Sequence, residues 1–331
     1  MKNSKIIRWI LFVLPIPVIL MSLFIGPASD LHLVETLTSL WKETQQPELL
    51  VARSVILDIR LPRILLVFLS GGVLAVTGAA LQAMFRNPLV DPYVLGLSSG
   101  AAFGAALGLW TAVIPIQISA FAFGLLAVGL SYFMARKHGE VSIVSLILSG
   151  IITNGIFTAL LTIVQILSDP FKLQSIVHWM MGNFQHAGWS ALLSALPAAC
   201  IGLTILFLLR WKLNVLAMGD EEASSSGSQP QQLKWWVLVA ATLASSAVVA
   251  VSGIIGLYGL MIPHVVRMIF GVDNKSTLLI NLLLGGSFLV IIDDISRTLA
   301  GFEIPIGVFT MLIGAPFFIW LLKKSNVGWE H

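Results

Sequence analysis

The most chemically loaded spacing in the sequence is Asp293, Asp294 and Arg297. Carboxylates inside an apolar run are expensive and are kept for ion coupling or for pairing. Spacings of three and four residues place both acids on the helix face that carries Arg297, which favours local ion pairing over proton coupling. His264 directly follows Pro263 and is expected to be a hydrogen-bonded histidine at a kink; the other five histidines are scattered. No Gly-x-x-x-x-Gly-Lys-Ser/Thr stretch is present to cradle nucleotide phosphates, and neither His-Glu-x-x-His nor Gly-x-Ser-x-Gly occurs. The single cysteine, Cys200, excludes an intrachain disulfide and any cysteine-built metal site, and reads as a small buried hydrophobe. No residue stands out as catalytic and no set of residues as a metal site.

The elements that must position these residues follow from composition. Of 331 residues, 57% are apolar and only 11% charged, against roughly 25% charged in a soluble domain. So few charges cannot cover a water-facing surface, so the solvent is largely lipid. Apolar runs near the length of a bilayer span, about 20 residues, recur over 6–26, 62–84, 94–110, 115–135, 142–167, 188–209, 234–252, 257–271, 277–294 and 305–322. The expected fold class is an all-α membrane protein with ten transmembrane helices, forming one domain over 1–331. The first run follows Lys2, Lys5 and Arg8 and is read as an uncleaved span rather than a signal peptide.

Three interruptions are polar: 27–61, with Asp30, Glu35, Lys42, Glu43 and Glu48; 168–186, with a short amphipathic piece after Pro170; and 212–233. Alternating the spans from a cytoplasmic N-terminus puts thirteen Lys and Arg residues inside and six outside, namely Lys42, Arg53, Arg60, Arg63, Lys172 and Arg297. That bias places both termini in the cytoplasm. It also explains the net charge of +3 without nucleic acid, since no basic stripe with interleaved aromatics appears. The tryptophans fall near span ends, as interfacial rings do. Gly96, Gly100, Gly104 and Gly108 form a small-residue stripe on which another helix can pack closely. Ala75-Val76-Thr77-Gly78 and Ala250-Val251-Ser252-Gly253 are faintly alike and lie on oppositely directed spans, as inverted repeats do.

A set of motifs then occurs in order: Ile59-Arg60-Leu61-Pro62-Arg63; Gly71-Gly72; Gly78 through Gln82; Arg86-Asn87-Pro88-Leu89-Val90-Asp91-Pro92; Leu95 through Ala101; Trp179 through Gly182; Gly259 through Arg267; Ile304 through Val308; and Gly314-Ala315-Pro316. In this order they resemble the iron-chelate and cobalamin permease family of bacterial ABC importers, over about 50–324. The resemblance implies the type II ABC importer permease architecture in the bacterial inner membrane. It implies a homodimer, or a pair with a paralogous permease, two ATPase subunits that carry ATP and magnesium, and an extracytoplasmic substrate-binding protein. No cofactor is expected on this chain. It also implies import of an iron–siderophore or a related metal chelate such as heme or cobalamin; an ion-coupled secondary carrier is the alternative.

By the same resemblance Arg60, Arg63 and Arg297 would dock the binding protein's glutamates, and Asn87, Leu89 and Ser142 would form the cytoplasmic gate. Ala217, Gly219, Asp220, Glu221, Ala223 and Gly227, within the cytoplasmic segment 212–233, would couple to the ATPase, and 168–186 would be a short extracytoplasmic helix and loop. The sequence departs from the family pattern at Ser224 and Ser226, where a basic residue and a leucine are usual. Serines there weaken the helix and its apolar contact.

Overall fold

The computed structural model describes residues 9–26 and 47–324. The polar stretch 27–46, with Trp41, and the basic residues Lys2, Lys5 and Arg8 lie outside the described residues. In chain order the helices are α1 (Trp9–Ser22), α2 (Pro47–Ser54), α3 (Leu61–Phe85), α4 (Leu97–Thr111), α5 (Ile116–Ala135), α6 (Ile143–Leu167), α7 (Pro170–Met180), α8 (Trp189–Met218), α9 (Asp220–Ser225), α10 (Pro230–Ser252), α11 (Tyr258–Phe270), α12 (Asn274–Thr298) and α13 (Ile306–Lys324). Ten of them coincide with the ten expected spans, and α2, α7 and α9 lie in the three polar interruptions. The fold is that of an all-α membrane protein.

Helix α3 is the axis of the bundle. It is apolar on every side and buried over nearly its whole length, the signature of a helix surrounded by others. Helices α8, α10, α11 and α12 pack around it, and α1 closes against α12. Glycines set the close approaches. A Cβ on Gly71 would lie 2.4 Å from the Gly285 carbonyl oxygen of α12, and one on Gly78 only 1.8 Å from that of Gly259 in α11. At the entry to α3, Pro62 has no N–H to donate, and the preceding turn, Val55–Arg60, is π-helical.

A second cluster, α4, α5 and α6, joins this core through contacts between α5 and α10. The glycine stripe of α4 behaves as expected: Cβ atoms on Gly100 and Gly104 would meet Phe123 and Ser119 backbone of α5 at 2.5 and 2.4 Å.

Among the expected spans, α4 and α11 fall short of a full crossing. A helix of 15 residues spans about 22 Å and one of 13 about 20 Å, against a hydrocarbon core of about 30 Å. Both α4 and α11 begin inside the bundle after a break in the chain. Gly96, left-handed at φ 84°, sits against Thr153 midway along α6. Tyr258 at the start of α11 donates to the Gly285 carbonyl midway along α12. The breaks, 86–96 and 253–257, touch each other: the Tyr93 hydroxyl donates to the Ile255 carbonyl and accepts from its N–H, each at 3.2 Å. Irregular backbone at this depth is tolerated because it is buried in protein. Thus α3 and α10, which run in opposite directions and share a Ser245–Thr77 hydrogen bond, are each followed by a break and a half-length helix.

Local chemistry departs from the sequence reading in four places. Helix α8 runs on to Met218, well past the expected end at 209, so most of the polar segment's first part is helical. Residues 136–141 form a small antiparallel hairpin, Arg136 opposite Val141, turning through His138 and Gly139 at positive φ. Cys200 is exposed on α8 rather than buried. His264 Nδ1 has no hydrogen-bond partner among the described residues; the ring instead lies edge-on to Phe317 and Phe318 at 6.0 and 6.4 Å.

Candidate functional site

Helix α3 carries Arg63 at one end and leads into Arg86 at the other, so the expected site residues divide between opposite ends of the bundle.

At the first end lie Arg60, Arg63 and Arg297, and their guanidinium groups turn inward. All three residues are at most 8% exposed. Arg63 makes a two-pronged ion pair with Asp293, Nε to Oδ2 at 3.0 Å and Nη2 to Oδ1 at 2.9 Å, and a second with Glu303 at 2.7 and 3.2 Å. Arg297 pairs with Asp294, three residues back on α12, and donates to the Ser22 hydroxyl and carbonyl of α1. Ser22 in turn donates to Asp294 at 2.6 Å. Arg60 donates to the Leu23 carbonyl at 2.8 Å.

The local pairing expected of Asp294 is therefore present. Asp293 also lies within ion-pair distance of Arg297, at 3.8 Å, while its closer pairing is across to Arg63 of α3. The arginines are not presented as outward cations awaiting a partner's carboxylates; they tie α1, α3 and α12 together. Burial explains this, because a cation removed from water must be paired and hydrogen-bonded. Glu303 is the most accessible member, its side chain 29% exposed. Its role was not visible in the sequence, since its partner lies 240 residues away.

At the opposite end, Arg86 caps α3 in the left-handed region, φ 53°. Asn87 follows; its side-chain oxygen accepts the Leu89 N–H at 2.9 Å, and Leu89 is exposed. This is the turn chemistry expected of an Asn-Pro pair. Ser142 lies on a different turn and caps α6, accepting the Ser145 N–H at 3.0 Å. Asp220 opens α9 beside both. One carboxylate oxygen accepts from Arg86 at 3.2 Å and the other from Lys234 at 2.5 Å. Lys234, buried to 3% side-chain exposure, also donates to the Val141 carbonyl at 3.3 Å.

Of the other residues in 212–233, Ala223 and Gly219 are buried against the bundle, whereas Ala217, Glu221 and Gly227 are exposed. Gly219 is held at φ 140° and Gly227 at φ 77°, so each permits a turn that other residues resist. The serines end α9 after six residues: the hydroxyls of Ser224 and Ser226 bond back to the carbonyls of Asp220 and Ala223. Arg86 and Lys234 are functional candidates that sequence reasoning missed. Arg86 is the first residue of the Arg86–Pro92 motif, but nothing in the spacing links it to Asp220.

A cavity of about 430 Å³ opens among α5, α7 and the end of α10, lined by Gln117, Gln174, His178, His186, Val251 and neighbours. It contains no carboxylate or thiol, and no group of three or more His, Cys, Asp or Glu side chains is placed to hold a metal ion among the described residues.

Comparison with known proteins gives this geometry a context. The profile of the FecCD transport family matches residues 11–324. A Helicobacter pylori protein, the probable iron chelatin transport system permease protein, is 39% identical over 272 residues, 82% of this chain and 83% of that one. The hemin transport system permease protein of Yersinia pestis is 38% identical over 284 residues, 82% of this chain and 83% of that one. A solved inward-facing structure of a metal-chelate type ABC transporter superposes with a TM-score of 0.87 at 36% identity, covering 97% of this chain and 99% of that one.

Proposed function

The chain belongs to the FecCD transport family, and from that premise we propose that it is the permease subunit of an ATP-driven importer for an iron–siderophore or related metal chelate. The observation that carries this reading is the likeness, over almost the whole chain, to a metal-chelate ABC transporter. Relatives named for iron chelatin and hemin support the substrate class. The chain has no phosphate-cradling loop of its own, so ATP and magnesium belong on a separate ATPase.

The working assembly is two permease chains in the bacterial inner membrane, two ATPases below and a substrate-binding protein above, with both permease termini cytoplasmic. Apolar faces on α6 (Val144, Leu148, Ile152 and Ile156) and α13 (Met311 and Leu312) are uncovered and can meet lipid or a second permease chain. The loaded binding protein docks on the end that carries Arg60, Arg63 and Arg297. An incoming carboxylate there displaces Glu303, the accessible partner, from Arg63. The segment from Ala217 to Gly227 meets the ATPase, and the turns at Asn87, Leu89 and Ser142 gate the exit. Transport is alternating access, in which nucleotide-driven movement below shifts a two-state bundle. No covalent step occurs on this chain.

Co-expression with the ATPase and binding protein encoded beside it tests the assembly. Native mass measurement of the purified complex is expected to give two permeases and two ATPases. A permease that purifies alone and never captures an ATPase contradicts the proposal.

A further inference from the structure

We infer that Asp220 is the positioning residue through which movement of α9 reaches both exit turns, rather than a contact made outward to the ATPase. The inference rests on the importer reading and names the wiring of its coupling segment. Asp220 is the first residue of α9, yet its carboxylate faces back into the permease. Oδ1 holds Arg86 at 3.2 Å and Oδ2 holds Lys234 at 2.5 Å.

Each cation leads to a different turn. Arg86 immediately precedes Asn87, whose side chain closes the turn bearing Leu89. Lys234 donates to the Val141 carbonyl, and Gln231, one helical turn earlier on α10, accepts the Val141 N–H at 3.1 Å. Val141 immediately precedes Ser142, the cap of α6. One carboxylate thus joins three chain segments far apart in sequence: 86–89, 141–142 and α9.

Its surroundings fix it. Gly219, at φ 140°, lets the chain turn sharply from α8 into α9, and a Cβ there would come within 3.6 Å of the Arg86 guanidinium. Ala223, one turn along α9, is fully buried and seats the helix. The two links differ in kind. The Lys234 ammonium is buried and, among the described residues, pairs with Asp220 alone, so that bond is costly to break. Arg86 and Asp220 are each more than a third exposed, so their bond is weak enough to break and remake during a cycle. A displacement of α9 therefore carries Asp220 with Lys234 and α10, and stretches or releases the pair with Arg86.

The test uses Arg86→Gln, which leaves the buried Lys234–Asp220 pair intact, with Arg86→Lys as the conservative variant. The first measurement needs only this chain. Spin labels at positions 89 and 225 of the full-length protein in nanodiscs, with Cys200→Ser, report the distance between the exit turn and α9. Arg86→Gln is expected to broaden that distribution, and Arg86→Lys to restore most of it. The second measurement follows reconstitution with the ATPase and binding protein encoded beside it. ATP hydrolysed per ferric siderophore imported is expected to rise about two- to fivefold in Arg86→Gln, with the hydrolysis rate unchanged.

An unchanged distance distribution overturns the inference whatever the uptake shows. A broadened distribution with an unchanged ATP-to-substrate ratio overturns the relay and leaves a structural ion pair. Absence of ATP-dependent uptake by the unsubstituted protein overturns the importer reading itself, and the relay's transport role with it.

Discussion

Asp293→Ala is expected to destabilise the protein by about 3–5 kcal/mol, the cost of leaving one member of a buried ion pair without its partner. Arg63 loses its two-pronged contact with Asp293 and keeps only Glu303, while the side chains of both Arg63 and Asp293 are at least 90% buried. The loss is measured as the denaturant or temperature at which detergent-solubilised protein unfolds. The double variant Arg63→Met with Asp293→Leu is expected to recover most of it, because apolar side chains of similar volume often replace a buried pair without penalty. This prediction separates the importer from an ion-coupled carrier. In a carrier, Asp293→Asn would abolish uptake in a protein that remained as stable as the parent. That result would return Asp293 to the role of a coupling carboxylate.

Gly78→Ala is expected to cost about 1–3 kcal/mol, at the upper end for overpacking. The new methyl would sit 1.8 Å from the Gly259 carbonyl oxygen, and neither helix backbone can rotate away as a side chain can. Helices α3 and α11 would have to separate. They meet beside the break at 86–96, where Gly259 also packs on Pro92, so transport is expected to fall with stability. Gly129→Ala and Gly155→Ala are the controls: nothing lies within 4 Å of either Cβ, and both should leave the unfolding midpoint nearly unchanged. If Gly78→Ala unfolds at the same point as the controls, the packing of α3 on α11 is wrong.

The ten apolar helices were legible because hydrocarbon imposes one simple rule on sequence, a sustained apolar run. The glycine stripe of α4 was legible because its period matches the helix. Features that depend on distant partners were not. Asp294 and Arg297 lie three residues apart, and their pairing could be read directly. Asp293 pairs with Arg63 from another helix, and no spacing rule reaches 230 residues. The inward turn of the three arginines was hidden for the same reason: charge counting assigns an end of the bundle, not a direction.

Helix ends were blurred wherever basic residues lie on the helix itself. The apolar run stops at 209, before Arg210 and Lys212, yet α8 continues to Met218, because long cationic side chains can reach water from a helical backbone. Ser142 shows a different ambiguity. The residue expected at the gate is also the cap of α6, and a cap on a gate turn can serve both purposes. Cys200 was misplaced because an apolar run does not say which face meets lipid.

The most direct measurement is accumulation of a radiolabelled ferric siderophore in sealed proteoliposomes that hold this permease, its neighbouring ATPase and the binding protein. Accumulation is expected only with ATP and magnesium on the ATPase side and the binding protein on the other. It should persist when proton and sodium gradients are collapsed. Accumulation driven by an ion gradient without ATP or ATPase would contradict the importer and establish a secondary carrier in its place.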